Sequence, residues 1–295
     1  MAANGSIVRS ARIATPRDDY EATLRAIVSL VRELDESGDA SVGIGTPGSW
    51  LTERGAMQNC NSTWLNDKPL LTDLCQRLHD RVRIANDADC FVRSEAAAED
   101  GTGTVFGVIL GTGVGGGIVI NGRLLEGCNG LAGEWGHTPL PYFRYDQDSP
   151  EANLESRQCY CGRVDCIETF LSGPGLALTH LSLWGLQASP EEIHEATQQE
   201  TDSSLPGSPA QTTMEVYEGM LARSLAQIIN TLDPHVIVLG GGLSNMTRLY
   251  HTLGPRLRAH VFSAECNTVL RPPRWGDSSG VRGAAWLWEE DELPF

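Results

Sequence analysis

From Tyr20 to Leu34 apolar residues recur at helical spacing, and Thr15-Pro16-Arg17-Asp18-Asp19 ahead of them supplies a turn and a helix cap. Upstream, Ile7–Ile13 alternates well enough to predict a strand. Ser41-Val42-Gly43-Ile44-Gly45 predicts a short strand running into the turn Thr46-Pro47-Gly48-Ser49. A helix is expected over Pro69–Leu78, a strand over Arg81–Ala85 and a helix over Cys90–Glu99. Strand and helix therefore alternate through the first hundred residues, the pattern of an α/β layer with parallel strands.

Gly101-Thr102-Gly103 then marks a boundary, followed by two apolar strands at Thr104–Leu110 and Gly117–Asn121. The polar stretch from Tyr142 to Gln158 reads as a surface excursion. A mostly helical part runs from Thr169 to Asp233, with a loop expected over Ala188–Gln211, where Pro190, Pro206 and Pro209 fall. Val236–Leu239 is a buried strand ending in Gly240-Gly241-Gly242, and a helix over Gly280–Trp288 comes last.

Composition narrows the classes. At 295 residues, 41% hydrophobic and 20% charged, the chain is long enough for one large or two medium globular domains without disulfide staples. A formal charge of −16 leaves no basic footprint for nucleic acid or anionic membrane. No run of 18 apolar residues and no basic-then-apolar leader is visible, so the expected setting is the cytoplasm, with no membrane partner. Cys60, Cys75, Cys90, Cys128 and Cys266 are scattered and read as buried, inert thiols, whereas Cys159, Cys161 and Cys166 crowd into eight residues.

Four stretches carry chemistry. Gly111-Thr112-Gly113-Val114-Gly115-Gly116-Gly117 lies between β-formers; its bare backbone suits close approach to a phosphate, and a glycine-rich hairpin without ligand is the alternative. It does not lead into a helix, so the dinucleotide fingerprint fails on context. Ile84-Ala85-Asn86-Asp87 brings Asn86 and Asp87 to the carboxyl end of a strand, where open α/β sheets bind ligands. Asp87, kept ionised by the next helix's N-terminus, could take a hydroxyl proton during phosphoryl transfer; helix capping is the plainer alternative. Cys159, Cys161 and Cys166 fit a structural zinc site with His137 of Gly133-Glu134-Trp135-Gly136-His137 as fourth ligand, or else a packed set of reduced thiols. Glu134 and Glu168 flank that cluster and suit a polyhydroxylated ligand such as a sugar, or are ordinary surface acids.

Taken together, Gly45-Thr46-Pro47-Gly48, Asn61-Ser62-Thr63-Trp64, Asn86-Asp87-Ala88, Gly111–Gly115, Glu134–His137, Cys159 through Glu168 and Asp233 through Gly242 resemble the ROK family of bacterial sugar kinases and repressors. The stretches Thr15–Tyr20, Asn61–Asn66 and Gly276–Trp288 look most similar to its fructokinase (manno-fructokinase) branch. The resemblance implies an α/β, actin-like ATPase fold: residues 1–99 with 280–295 in a smaller domain, residues 100–279 in a larger zinc-bearing one, a cleft between. It implies transfer of the ATP γ-phosphate to a hexose 6-hydroxyl, with magnesium accompanying ATP. Asp87 would be the base, and Asn61, Asn86, Glu134, His137 and Glu168 would hold the sugar, His137 through its second ring nitrogen. Gly111–Gly117 would line the phosphates and Gly241-Gly242 the adenine; His137, Cys159, Cys161 and Cys166 would bind zinc, and the chain would pair as a homodimer.

One departure stands out. The family opens on a strand and an Asp-x-Gly-Gly-Thr loop, and no such motif occurs in this sequence. The expectation is a gene start placed too late on an active hexose kinase. The alternatives are a sugar- and zinc-binding chain with impaired turnover, or a glucokinase or N-acetylhexosamine kinase of the same family. A repressor is disfavoured, since no basic helix-turn-helix segment precedes the kinase-like part.

Overall fold

The computed structural model describes Met1 and residues 6–97, 102–199 and 207–288. The chain packs as two units: Met1–Gly101 with Gly117–Ala132 and Arg274–Phe295, and Thr102–Gly116 with Gly133–Pro273.

In the first unit Asp19 caps helix α1 (Tyr20–Leu34), its carboxylate accepting from the Ala22 N–H at 2.9 Å. Strand β1 (Val42–Thr46) leads to a hairpin of β2 (Ser49–Leu51) and β3 (Ala56–Gln58), then helix α2 (Leu70–Leu78) and strand β4 (Val82–Asn86). β1 and β4 pair in parallel, Val42 opposite Val82 and Thr46 opposite Asn86. Leu24 and Val28 of α1 and Leu70, Leu74 and Leu78 of α2 close over this pair, each on the i, i+4 stripe that an amphipathic helix buries. Helix α3 (Asp87–Ala96) starts where β4 stops, because the Asn86 side chain accepts from the Ala88 N–H and caps it. The fully buried Glu95 accepts from Arg274 N, Trp275 N and Ser279 Oγ, and so fixes the approach of the last helix.

The second unit holds β5 (Thr104–Leu110), the first residues of β6 (Val114–Ile120), and, beyond β7 (Arg123–Leu124) of the first unit, helices α4 (Ile167–Leu171), α5 (Gly173–Trp184), α6 (Pro190–Gln199) and α7 (Pro209–Leu232). Strand β8 (Val236–Gly240), helix α8 (Arg248–Arg258) and strand β9 (Val269–Arg271) complete it, and α9 (Ser279–Ala285) returns to the first unit. β5, β8 and β9 run parallel, with Val105 opposite Val236 and Ile109 opposite Gly240. β8 is buried throughout, as a strand covered on both faces must be. α7 lays Met214, Tyr217, Leu221 and Leu225 into the core, and the Tyr217 hydroxyl donates to the Leu171 carbonyl at 2.9 Å.

Two sequence expectations fail here. Ile7–Ile13 forms no strand; Ile7, Val8 and Ile13 are exposed, and the parallel pair β1–β4 is the whole of that sheet among the described residues. The stretch expected as a loop over Ala188–Gln211 contains α6, started by a capping box in which Glu192 N donates to Ser189 Oγ and Ser189 N to Glu192 Oε2. The helix expected to reach Glu99 ends at Ala96, and Glu99 lies outside the described residues. The last helix begins at Ser279 and ends at Ala285. Of the five thiols expected to be buried, Cys60 and Cys90 are, Cys75 and Cys266 are partly covered, and Cys128 is exposed. No described helix is long and apolar enough to cross a membrane.

Candidate active site

In the first unit the carboxyl ends of β1 and β4 lie side by side, which places Thr46, Asn86 and Asp87 together. Asn86 is a structural hub: Oδ1 accepts from the Ala88 N–H at 2.8 Å and Nδ2 donates to the Gly48 carbonyl at 2.9 Å. Asp87, the first residue of α3, accepts from the Ala88 N–H at 2.8 Å. The helix terminus does not dominate its ionisation. Desolvation pushes its carboxyl above the ordinary range, and the hydrogen bonds from backbone N–H groups offset this only in part. Asn61 is exposed, on a loop that Asn66 staples by accepting from Cys60 N at 2.8 Å and donating to Cys60 O at 3.2 Å.

In the second unit β5 and β8 end together, so the Gly111 turn and Gly241-Gly242 share one sheet edge. The turn is closed by Gly111 N donating to Gly113 O at 3.0 Å. Gly241 has a φ of +81° and no room for a Cβ against the Leu110 backbone, two reasons for glycine at that position; Gly242 faces open space.

The hairpin's glycines have a different explanation from bareness. A Cβ on Gly113 would stand 2.5 Å from Glu168 Oε2, and one on Gly116 would stand 2.8 Å from the Trp135 ring. Both neighbours also bond the hairpin: Val114 N donates to Glu168 Oε2 at 2.9 Å, and Trp135 Nε1 donates to Gly115 O at 2.8 Å. A Cβ on Gly117 would meet Ala88 and Val92 of α3. A Cβ on Gly111 would meet nothing within 4 Å.

Beside the hairpin, His137, Cys159, Cys161 and Cys166 converge, their ligand atoms all within 4.8 Å of one another. Cys159 Sγ is 3.5 Å from His137 Nδ1 and Cys161 Sγ is 3.6 Å from Cys166 Sγ. A zinc tetrahedron with bonds of ~2.3 Å to sulfur and ~2.0 Å to nitrogen puts sulfurs ~3.8 Å apart and nitrogen ~3.5 Å from sulfur. The donor set therefore fits such an ion. Burial pushes the Cys166 thiol up to about 12. Cys161 is held below the usual thiol value: desolvation works upward, and the Arg163 N–H and neighbouring thiols outweigh it.

The second nitrogen of His137, expected to be available to a sugar, is engaged: Nε2 shares a hydrogen bond of 2.9 Å with the Tyr160 hydroxyl, whose ring meets the imidazole edge-on. Burial raises the pKa of the Tyr160 hydroxyl, and the negative charges of Glu168 and Glu134 add to the rise. The loop is anchored by Arg157, which donates to Thr169 O, Gly175 O and Thr179 Oγ1 and lies over the Phe170 ring. Tyr160, Trp135, Asn66 and Arg157 escape sequence reasoning as site residues. The aromatic between two cysteines and the Trp between Glu134 and Gly136 were the available signals.

Thus the structure gathers Gly111–Gly116, Glu134, His137, Glu168, the cysteine cluster and Gly241-Gly242 in one unit, and Asn61, Asn86, Asp87 and Gly117 in the other. Comparison with known proteins covers nearly all of them. The ROK family pattern matches residues 1–291. The chain belongs to the ROK family. An N-acetyl-D-glucosamine kinase of Citrobacter koseri is 40% identical over 280 residues, 94% of this chain and 90% of that protein. Among solved ROK structures, the hexokinase of Thermus thermophilus matches with a TM-score of 0.75 and 26% identity over 92% of this chain and 87% of that one. A Streptomyces griseus ROK glucokinase in complex with glucose and AMPPNP gives a TM-score of 0.73 and 26% identity, over 97% and 93%. The actin-like ATPase fold implied by the motifs is thereby shown for this ROK chain. The fructokinase branch is not supported: the similar curated ROK relatives carry N-acetyl-D-glucosamine, not fructose, in their names.

Proposed function

We propose that this chain is an ATP-dependent kinase acting on the 6-hydroxyl of an N-acetylated hexosamine, N-acetyl-D-glucosamine first. The observation that carries the substrate is the 40% identity to an N-acetyl-D-glucosamine kinase across 94% of the chain. In this reading Asp87 takes the proton of the sugar hydroxyl as its oxygen bonds to the γ-phosphorus, while the bond from that phosphorus to the bridging oxygen breaks and ADP leaves. An elevated carboxyl pKa brings the base nearer neutrality, which favours proton transfer at physiological pH. Asn61, Asn86, Glu134, His137 and Glu168 hold the sugar, His137 by way of the Tyr160 hydroxyl bonded to its Nε2. Gly111–Gly117 receive the phosphates and Gly241-Gly242 the adenine. Magnesium would accompany ATP and neutralise phosphate charge. Zinc, held by His137, Cys159, Cys161 and Cys166, would supply no chemistry beyond fixing the loops that carry Glu134 and Glu168. The protein works in the cytoplasm and forms a homodimer.

A coupled ADP-release assay with N-acetyl-D-glucosamine, N-acetyl-D-mannosamine, glucose, mannose and fructose tests the reading. The highest kcat/KM belongs to N-acetyl-D-glucosamine; a preference for fructose overturns the substrate.

A further inference from the structure

We infer that Glu168 is a positioning residue for the glycine hairpin, so that the metal-binding loop sets the shape of the phosphate site as well as the sugar site. This rests on the reading of Gly111–Gly117 as the phosphate hairpin. Glu168 lies in the first turn of α4, two residues after Cys166, which caps that helix. Its Oε2 accepts from Val114 N at 2.9 Å, and Val114 is 4% exposed, so this N–H points into the protein. The lack of a Cβ on Gly113 is what lets the carboxylate in. The same loop grips the hairpin elsewhere. Gly173 N, at the start of α5 where it follows α4, donates to Gly111 O at 2.7 Å, and Ile167 N donates to Thr138 O at 2.9 Å, tying α4 to the Trp135–His137 turn. A carboxylate with one oxygen on a buried backbone N–H is a charge-assisted tie, stronger than a neutral one. It leaves Oε1 to accept from a sugar hydroxyl. One side chain thus serves both substrates, and each substrate's site depends on the same ligated loop.

The two roles separate by chemistry. Glu168→Gln keeps a carbonyl oxygen able to accept from Val114 N but replaces the other acceptor with an N–H donor; Glu168→Ala removes both. The Kd of magnesium with a non-hydrolysable ATP analogue is measured by calorimetry with no sugar present, together with hydrogen exchange of the peptide covering residues 108–120. Glu168→Ala is expected to weaken nucleotide binding about tenfold, the worth of one charge-assisted hydrogen bond, and to speed exchange at Val114. Glu168→Gln, left with a neutral bond about half as strong, loses about threefold in nucleotide binding while the sugar KM rises. Gly113→Ala crowds Oε2 off Val114 N, and its faster exchange at Val114, read apart from nucleotide binding because Gly113 itself belongs to the hairpin, stands in should Glu168→Ala fail to fold. Unchanged sugar-free binding and exchange in Glu168→Ala confine Glu168 to the sugar and overturn the inference. Tighter nucleotide binding overturns it too, since the carboxylate would then be occupying a phosphate's place. If the wild-type chain binds no nucleotide, the kinase reading fails, and the exchange data still decide whether Glu168 holds the hairpin.

Discussion

Gly283 offers a test in which two opposed effects can be weighed. It sits inside α9 with an ordinary helical backbone, so propensity alone favours alanine by roughly 1 kcal/mol. Packing argues the other way. A Cβ at 283 would overlap the carbonyl oxygen of Cys90 on α3 and stand 2.9 Å from Cys90 Cα. Non-bonded carbon atoms prefer separations of about 3.5–4.0 Å, and the Cys90 carbonyl is the tightest contact, so α9 must withdraw from α3 by well over an ångström. Overpacking of this kind costs about 1–3 kcal/mol, or more where backbone meets backbone. Gly283→Ala is therefore expected to lose about 1–2 kcal/mol net. Activity falls further than stability, because Cys90 lies one turn from Asp87 and misplacing a reacting group by about 1 Å can cost a hundredfold in rate. Urea unfolding and kcat/KM give the two readouts. Gly280→Ala in the same helix meets nothing within 4 Å and serves as the control, expected to be neutral or slightly stabilising. A Gly283→Ala protein as stable and active as the control would refute the close approach of α3 and α9 as a determinant of the site.

Asp87→Asn is expected to lower kcat by about 10²–10⁴-fold with folding intact, checked by the coupled assay beside a melting curve. Since the base must be ionised and its pKa lies above the ordinary carboxylate value, kcat/KM falls on the acid side at a pH above that of a free aspartate; a limb at or below the ordinary value refutes the shift. Chelator-treated protein is expected to lose about one zinc per chain by elemental analysis and to melt at a lower temperature; finding no metal in untreated protein excludes the site. Arg157→Ala takes the guanidinium donors from Thr169 O, Gly175 O and Thr179 Oγ1, the last two still bonded to each other, and is expected to cost about 2–3 kcal/mol by urea denaturation; unchanged stability would show the anchor to be idle.

Where periodicity and turn chemistry agree, the sequence is readable: α1 behind its Asp19 cap, the β1–β4 pair, α3 starting at Asn86-Asp87, and β5 running into the glycine turn. The failures have physical causes. Alternation over Ile7–Ile13 is a local property, whereas a strand needs a neighbour's hydrogen bonds, and no described strand offers them. Prolines at 190 and 209 read as breakers, yet each occupies the start of a helix, where the missing N–H costs nothing and a preceding serine supplies the cap. Of the site, residue types and spacing sufficed for the Cys159–Cys161–Cys166–His137 cluster. Tyr160 on His137 and Glu168 on Val114 depend on how loops far apart in sequence fold over one another, and pattern alone does not carry that.

The glycines show the difference most sharply. Five of them within residues 111–117 suggest backbone bared for a ligand. Yet Gly113 and Gly116 are glycine because Glu168 and Trp135 occupy the space of their side chains, and Gly117 because α3 does; among the glycines surveyed in that turn, Gly111 alone faces open space. A turn built only to receive phosphate would tolerate small side chains on its protein side, whereas this one would not. On the proposed function the physical demand on the sequence is double: one surface of N–H groups for phosphate, and an opposite surface shaved to admit the carboxylate and indole that hold the turn. Substitutions in the hairpin should accordingly fall into two classes, with alanine at Gly113 or Gly116 disturbing the fit to Glu168 and Trp135, and alanine at Gly111 leaving that fit intact.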